Sequence, residues 1–123
     1  MRNPKAEHID FGFMEGIIPN NEKWLGSNID MCFERKGKFL YAEWKRPNEN
    51  MLEGQRRLLR ALSKDNVVLI VNGISTKDIL EIYKIYKVEG RIAKLVGSGL
   101  DCWIAFVRKW YDEADSLTSP NEF

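Results

Sequence analysis

The chain has 123 residues, 44% of them hydrophobic, with 19 Lys and Arg against 18 Asp and Glu, a net charge of +1, one histidine and two cysteines. That length supports one core and a single domain over 1–123, with 1–26 poorly defined and 116–123 a frayed tail. No apolar run approaches the roughly 20 residues of a membrane span, one histidine excludes a multi-histidine zinc site, and the charge balance excludes a polycation.

No signal-peptide pattern opens the chain. Cys32 and Cys102 lack metal-ligand spacing and read as buried thiols, which sets the expectation of a reducing, cytoplasmic location. Ile9, Phe13 and Ile17 fall at helical spacing within Ala6 to Ile18, Gly12 and Gly16 weaken that helix, and Pro19-Asn20-Asn21 ends it. Asn20–Ser27 is a polar loop whose Trp24-Leu25 is expected to plug one end of a sheet.

Ile29–Arg35 and Lys38–Lys45 are rich in β-formers and flank Lys36-Gly37, a tight-turn signal, so they read as a hairpin. An even-length loop sets Arg35 opposite Lys38, Phe33 opposite Leu40, Met31 opposite Ala42 and Asp30 opposite Glu43. One face is then Ile29, Met31, Phe33, Leu40, Ala42 and Trp44, apolar throughout and expected to pack on a core. Asp30, Glu43 and Lys45 share the other face, which the pattern leaves free for chemistry. Directly opposed Cβ atoms lie roughly 5 Å apart, close enough for both carboxylates to reach one cation. Unpartnered, two such carboxylates repel each other. A hard divalent cation with oxygen ligands, Mg²⁺ or Mn²⁺, removes the conflict, and Lys45 can then hold or deprotonate a water and offset phosphate charge.

Pro47 stops the second strand, and Asn48 or Asn50 can cap a helix, with Glu53 in capping-box position to Asn50. Met51, Leu52, Leu58, Leu59 and Leu62 form its apolar stripe. Gln55 sits inside that stripe and needs hydrogen-bond partners, which a site near Glu43 or the backbone would supply. Basic residues crowd this region: Lys36, Arg46, Arg56, Arg57 and Arg60 are candidate phosphate contacts. Val67–Val71 reads as a buried strand parallel to a hairpin strand, and Asn72-Gly73 as a turn. Residues 78–88 fit a helix by spacing, yet their β-branched and aromatic content favours a strand. Its Tyr83, Lys84, Tyr86 and Lys87 either face nucleic acid or guard a sheet edge. After the Gly97-Ser98-Gly99 loop, Leu100, Trp103, Ile104, Val107, Trp110 and Tyr111 form the stripe of a last helix. Its breadth makes part of that face a candidate homodimer interface.

The succession Asp30, Glu43-Trp44-Lys45 and a helix bearing Gln55 resembles the PD-(D/E)XK nuclease core. The run Glu43-Trp44-Lys45-Arg46-Pro47, then Gln55-Arg56 and Leu58-Leu59, is similar to small stand-alone VRR-NUC type domains of phages and bacteria. The likeness covers residues 27 to about 71, and Ile29 stands where the family often has Pro. It implies that Asp30, Glu43 and the carbonyl of Trp44 bind the metal, that Lys45 is catalytic, and that Gln55 lies beside the site. The family's first helix commonly adds an acid, for which Glu15 and Glu7 are the candidates. The expectation is an α/β domain, a restriction-endonuclease-like core in the order α–β–β–α–β–β–α, acting as a Mg²⁺- or Mn²⁺-dependent endonuclease on DNA in a bacterial or phage-infected cell, with a preference for junctions or flaps. The alternatives are a nucleic-acid-binding protein without turnover and an interaction module using the aromatic last helix.

Overall fold

The computed structural model describes residues 10, 12–23 and 28–117. One mixed sheet holds five strands side by side in chain order: β1 (Met31–Arg35), β2 (Lys38–Lys45), β3 (Val67–Ser75), β4 (Leu80–Glu89) and β5 (Ile92–Gly97). Two helices, α1 (Glu53–Leu62) and α2 (Leu100–Asp115), complete an α/β fold. Only β2 and β3 run parallel, and a parallel step needs a crossover, which α1 supplies. No helix among the described residues is long and apolar enough to cross a membrane.

Lys36 and Gly37 take φ of 50° and 80°, the two positive values that a type I′ turn demands. That turn sets the expected register, with Met31 opposite Ala42, Phe33 opposite Leu40 and Arg35 opposite Lys38. The pleat then sorts the side chains. On one face Leu40, Ala42, Leu69, Val71, Ile82 and Ile85 are buried together with Trp110 and Ala114 of α2. On the other, Leu59 of α1 packs with Val68 and Val88, flanked by Tyr41, Met51, Leu62 and Ile70.

Glu43 and Lys45 alternate in step with Tyr41 and so lie on the α1 face. The polar face of the hairpin is therefore not open. Glu43 is only 5% exposed and Lys45 only 9%, because the start of α1 roofs them.

Five further expectations are corrected. Asn72-Gly73 does not turn the chain: β3 continues to Ser75 with a register shift at that step. A Cβ on Gly73 would meet the Glu81 carbonyl oxygen at 2.1 Å, so the glycine permits close approach of β4. A strand absent from the sequence reading, β5, follows a two-residue turn in which Gly90 has φ 61°. Residues 92–96 are all exposed, so no buried face imprinted an alternating pattern on them. Helix α1 starts two to four residues later than Asn50 or Asn48 would place it: Leu52 is the N-cap, and its N–H donates to Gln55 Oε1 at 3.2 Å. Both cysteines are exposed, Cys32 because it lies on an edge strand that α1 leaves uncovered. Ahead of the hairpin, the described part of the expected first helix is a 3-10 turn, Gly12–Met14. Gly16 at φ 83° is incompatible with continuing it. Trp24-Leu25 lies outside the described residues.

Candidate active site

Strand β2 delivers Glu43 and Lys45, two residues apart, to the same face, and α1 lowers Gln55 onto them. The Gln55 side chain bridges the two: its Nε2 donates to Glu43 Oε1 at 3.1 Å, and its Oε1 accepts from Lys45 Nζ at 2.8 Å. An amide is the neutral side chain that offers a donor to a carboxylate and an acceptor to an ammonium at once. Gln55 is thus fixed in one orientation by two charged partners, which answers why a polar residue interrupts the helix stripe.

Asp30 immediately precedes β1. Its Oδ2 accepts from the Trp44 N–H at 2.7 Å, which carries the hairpin one bond past the Met31–Ala42 pair. In extended backbone the N–H and C=O of one residue point to the same side, so the Trp44 carbonyl issues toward the edge where Asp30 stands. The indole Nε1 of Trp44 donates to the Gly73 carbonyl of β3 at 2.9 Å, so Trp44 is tied to β3 as well as to Asp30. The close approach at Gly73 therefore bears on the site as well as on the sheet.

The electrostatics are unresolved by the protein alone. Burial, and secondly the neighbouring Asp30 carboxylate, push the Glu43 carboxyl up to about 7, against the opposing pull of the Lys45 ammonium. Asp30 and Glu43 stand near enough for each carboxylate to disfavour the charge on the other, a repulsion that a shared proton or a cation would relieve. The cleft around them has a volume of about 340 Å³ and is lined by Asp30, Glu43, Trp44, Lys45, Arg46 and Glu49. An all-oxygen donor set of two carboxylates and a carbonyl fits Mg²⁺ or Mn²⁺ and is ill suited to softer metals. No three His, Cys, Asp or Glu side chains converge on a metal position among the described residues. Glu15 is exposed just after the 3-10 turn, its N–H bonded to the Gly12 carbonyl, and does not complete a three-acid group. Glu7 lies outside the described residues.

The expected phosphate contacts separate into three locations. Arg46 lines the carboxylate cleft. Arg56 and Arg60 line a groove beside α1, while Arg57 is turned to solvent and pairs with Glu53 at 3.5 Å. Lys36 is at the far end of the hairpin, about 20 Å from Glu43 at the usual strand rise, where its Nζ donates to the Asp115 and Leu117 carbonyls. It caps α2 and is not brought to the site. Two residues near these clefts escaped the sequence reading. Glu49 accepts the Arg46 N–H at 3.0 Å and marks the loop after Pro47. Arg91 lies in the β4–β5 turn, which the Glu89-Gly90-Arg91 run could have signalled. In comparisons with known proteins, no family model, no curated protein and no solved structure matches the chain.

Proposed function

We propose that the chain is a Mg²⁺- or Mn²⁺-dependent deoxyribonuclease with a restriction-endonuclease-like core. The observation that carries the reading is the Glu43–Gln55–Lys45 bridge beside Asp30: two carboxylates lining one cleft, one of them buried, with an ammonium held two residues away. A structural ion pair would match charges one to one. Here an excess carboxylate is retained in a place where it costs stability, which is the pattern of a functional site.

Asp30, Glu43 and the Trp44 carbonyl would hold the cation. When bound, it supplies a Lewis acid that acidifies water and offsets charge on a phosphoryl group. Lys45 holds a proton-bearing nitrogen at the rim, where it orients the attacking water by hydrogen bonding and stabilises the charge that builds on the phosphate oxygens. Gln55 keeps that nitrogen from collapsing onto Glu43 and so preserves its direction. Arg46 lines the same cleft, a placement suited to a phosphate of the DNA strand. The competing reading, a nucleic-acid-binding protein without turnover, draws on the lack of a third converging acid among the described residues.

Cleavage of supercoiled, linear, single-stranded and four-way-junction DNA with Mg²⁺ or Mn²⁺ separates the two. Metal-dependent cleavage that disappears in Lys45→Ala is the expected result. Failure to cleave any substrate by folded protein that binds DNA would establish the binding reading instead.

A further inference from the structure

Helix α1 covers only part of its face of the sheet. The cross-strand register carries that face onward from Glu43 to Ile70 on β3 and Tyr86 on β4, and to Leu95 on β5. Between α1 and the β4–β5 turn lies a groove of about 290 Å³, floored by Ile70, Val88 and Ala93 and walled by Arg56, Arg60 and Arg91. It starts one strand spacing, about 5 Å, from Glu43, and Arg56 adjoins Gln55 in the helix.

Three arginines and no acid line this groove. The cleft at the other end of the sheet, by contrast, mixes Lys38 and Lys64 with Asp65 and Glu113, a self-compensated surface. Arg60 is drawn toward Glu53 at 3.8 Å, but Arg56 and Arg91 have no ion-pair partner among the described residues. Cations over an apolar floor ask for a ligand that is anionic and carries a flat apolar face. A DNA duplex offers phosphates but hides its base faces by stacking, whereas an unpaired nucleotide offers both. The volume is near the lower end for small-ligand clefts, enough for one base and not for a helix.

We propose that this groove receives an unpaired nucleotide of the DNA substrate, with its phosphate on Arg56 and Arg91 and its base on the Ile70–Val88–Ala93 floor. This rests on the nuclease reading and gives it a substrate class: DNA with a single-stranded segment next to the scissile bond. The continuity of the face from Glu43 to the groove places the unpaired nucleotide within a few nucleotides of the cleavage point.

The test is binding measured apart from cleavage. Fluorescence anisotropy in EDTA compares a labelled duplex bearing a short single-stranded overhang with the same duplex made blunt. The overhang is expected to bind about tenfold more tightly, the worth of one accommodated base. Arg91→Ala should reduce that ratio to about twofold and flatten the salt dependence by roughly one phosphate contact. Ala93→Trp, which fills the groove from an exposed strand, should do the same without removing a charge. Circular dichroism melting checks that each variant is folded. Equal affinity for both DNAs in the unmodified protein, or a preference unchanged in both folded variants, would overturn the groove proposal. Its fate is separable from the nuclease reading. Preference without cleavage leaves the groove and removes the enzyme, while cleavage without preference does the reverse.

Discussion

The two ends of the β1–β2 hairpin carry charged residues of the same kinds and use them in opposite ways. At the turn, Arg35 Nε donates to Asp115 at 2.8 Å, its guanidinium stacks 5.2 Å from the centre of the Tyr111 ring, and Lys36 caps the last carbonyls of α2. Arg35 and Lys36 both meet Asp115 there, and the Arg35 hydrogen bond holds the Asp115 carboxyl below the usual carboxylate range. At the open end, Asp30 and Glu43 are like charges lining one cleft, and the buried one is pushed up to about 7. The turn end ties β1 to α2 and needs nothing more. The open end keeps a like-charge conflict, which the proposed cation would relieve.

Glu43→Gln gives the largest expected contrast. It keeps the bond from Gln55 and removes the like-charge conflict, so cleavage should fall by about 10³-fold or more while metal-free stability improves at high pH. The direction follows from the raised carboxyl. Glu43 contributes fully to stability below its unfolded value of 4.5, and the contribution is lost as pH rises through about 7. Relative to Glu43→Gln, the unmodified protein should therefore lose about 3 kcal/mol between pH 4.5 and pH 8. Parallel urea titrations of the two proteins would measure that difference. Equal pH profiles would show that the open end is not strained.

Gly73→Ala tests how the open end is braced. With a carbonyl oxygen 2.1 Å from the new Cβ, β3 and β4 must separate, at a cost of about 3 kcal/mol. The Trp44 indole bond to Gly73 should weaken too, which a change in tryptophan fluorescence would report. Gln55→Leu has a smaller expected cost of about 1–3 kcal/mol, because the partly buried bridge between Glu43 and Lys45 loses both of its polar contacts. Cleavage should drop by about tenfold to a hundredfold as Lys45 loses its direction, a combination that thermal melts and single-turnover rates would reveal. Asp115→Asn is the mildest. The turn end is exposed, so stability should fall slightly, more at low salt than at high salt, with cleavage untouched. Its pH signature is opposite to that of Glu43: the stabilisation is present above the ordinary aspartate value and disappears as pH falls through the lowered one.

Local pattern carried much of this architecture. Lys36-Gly37 admits a primed turn, and that turn alone sets the pairing from Arg35–Lys38 to Met31–Ala42, since hairpin register is a short-range property. The 3.6-residue stripe from Leu100 to Tyr111 is enough for α2, and the β-branched run at Val67–Val71 is enough for the centre of β3. Gln55 also stood out by itself, as a polar residue in an apolar stripe.

Contacts between distant segments decided the rest. Whether Glu43 and Lys45 are open or buried depends on where α1 lands, which no spacing within β2 records. Lys36 reads as a free cation until the end of α2, some eighty residues later, presents it with carbonyls. Gly73 reads as a turn until β4 approaches its Cα, and only the pairing shows why a side chain is excluded there. An edge strand such as β5 buries neither face, so hydrophobic alternation had nothing to select for. Arg91 joins Arg56 because α1 and the β4–β5 turn border the same groove. The sequence by itself determined the hairpin and its register, because those follow from backbone sterics over a few residues. The tertiary structure decided which charges are compensated and which are left in conflict, because burial and Coulomb energy depend on neighbours that the chain supplies from far away.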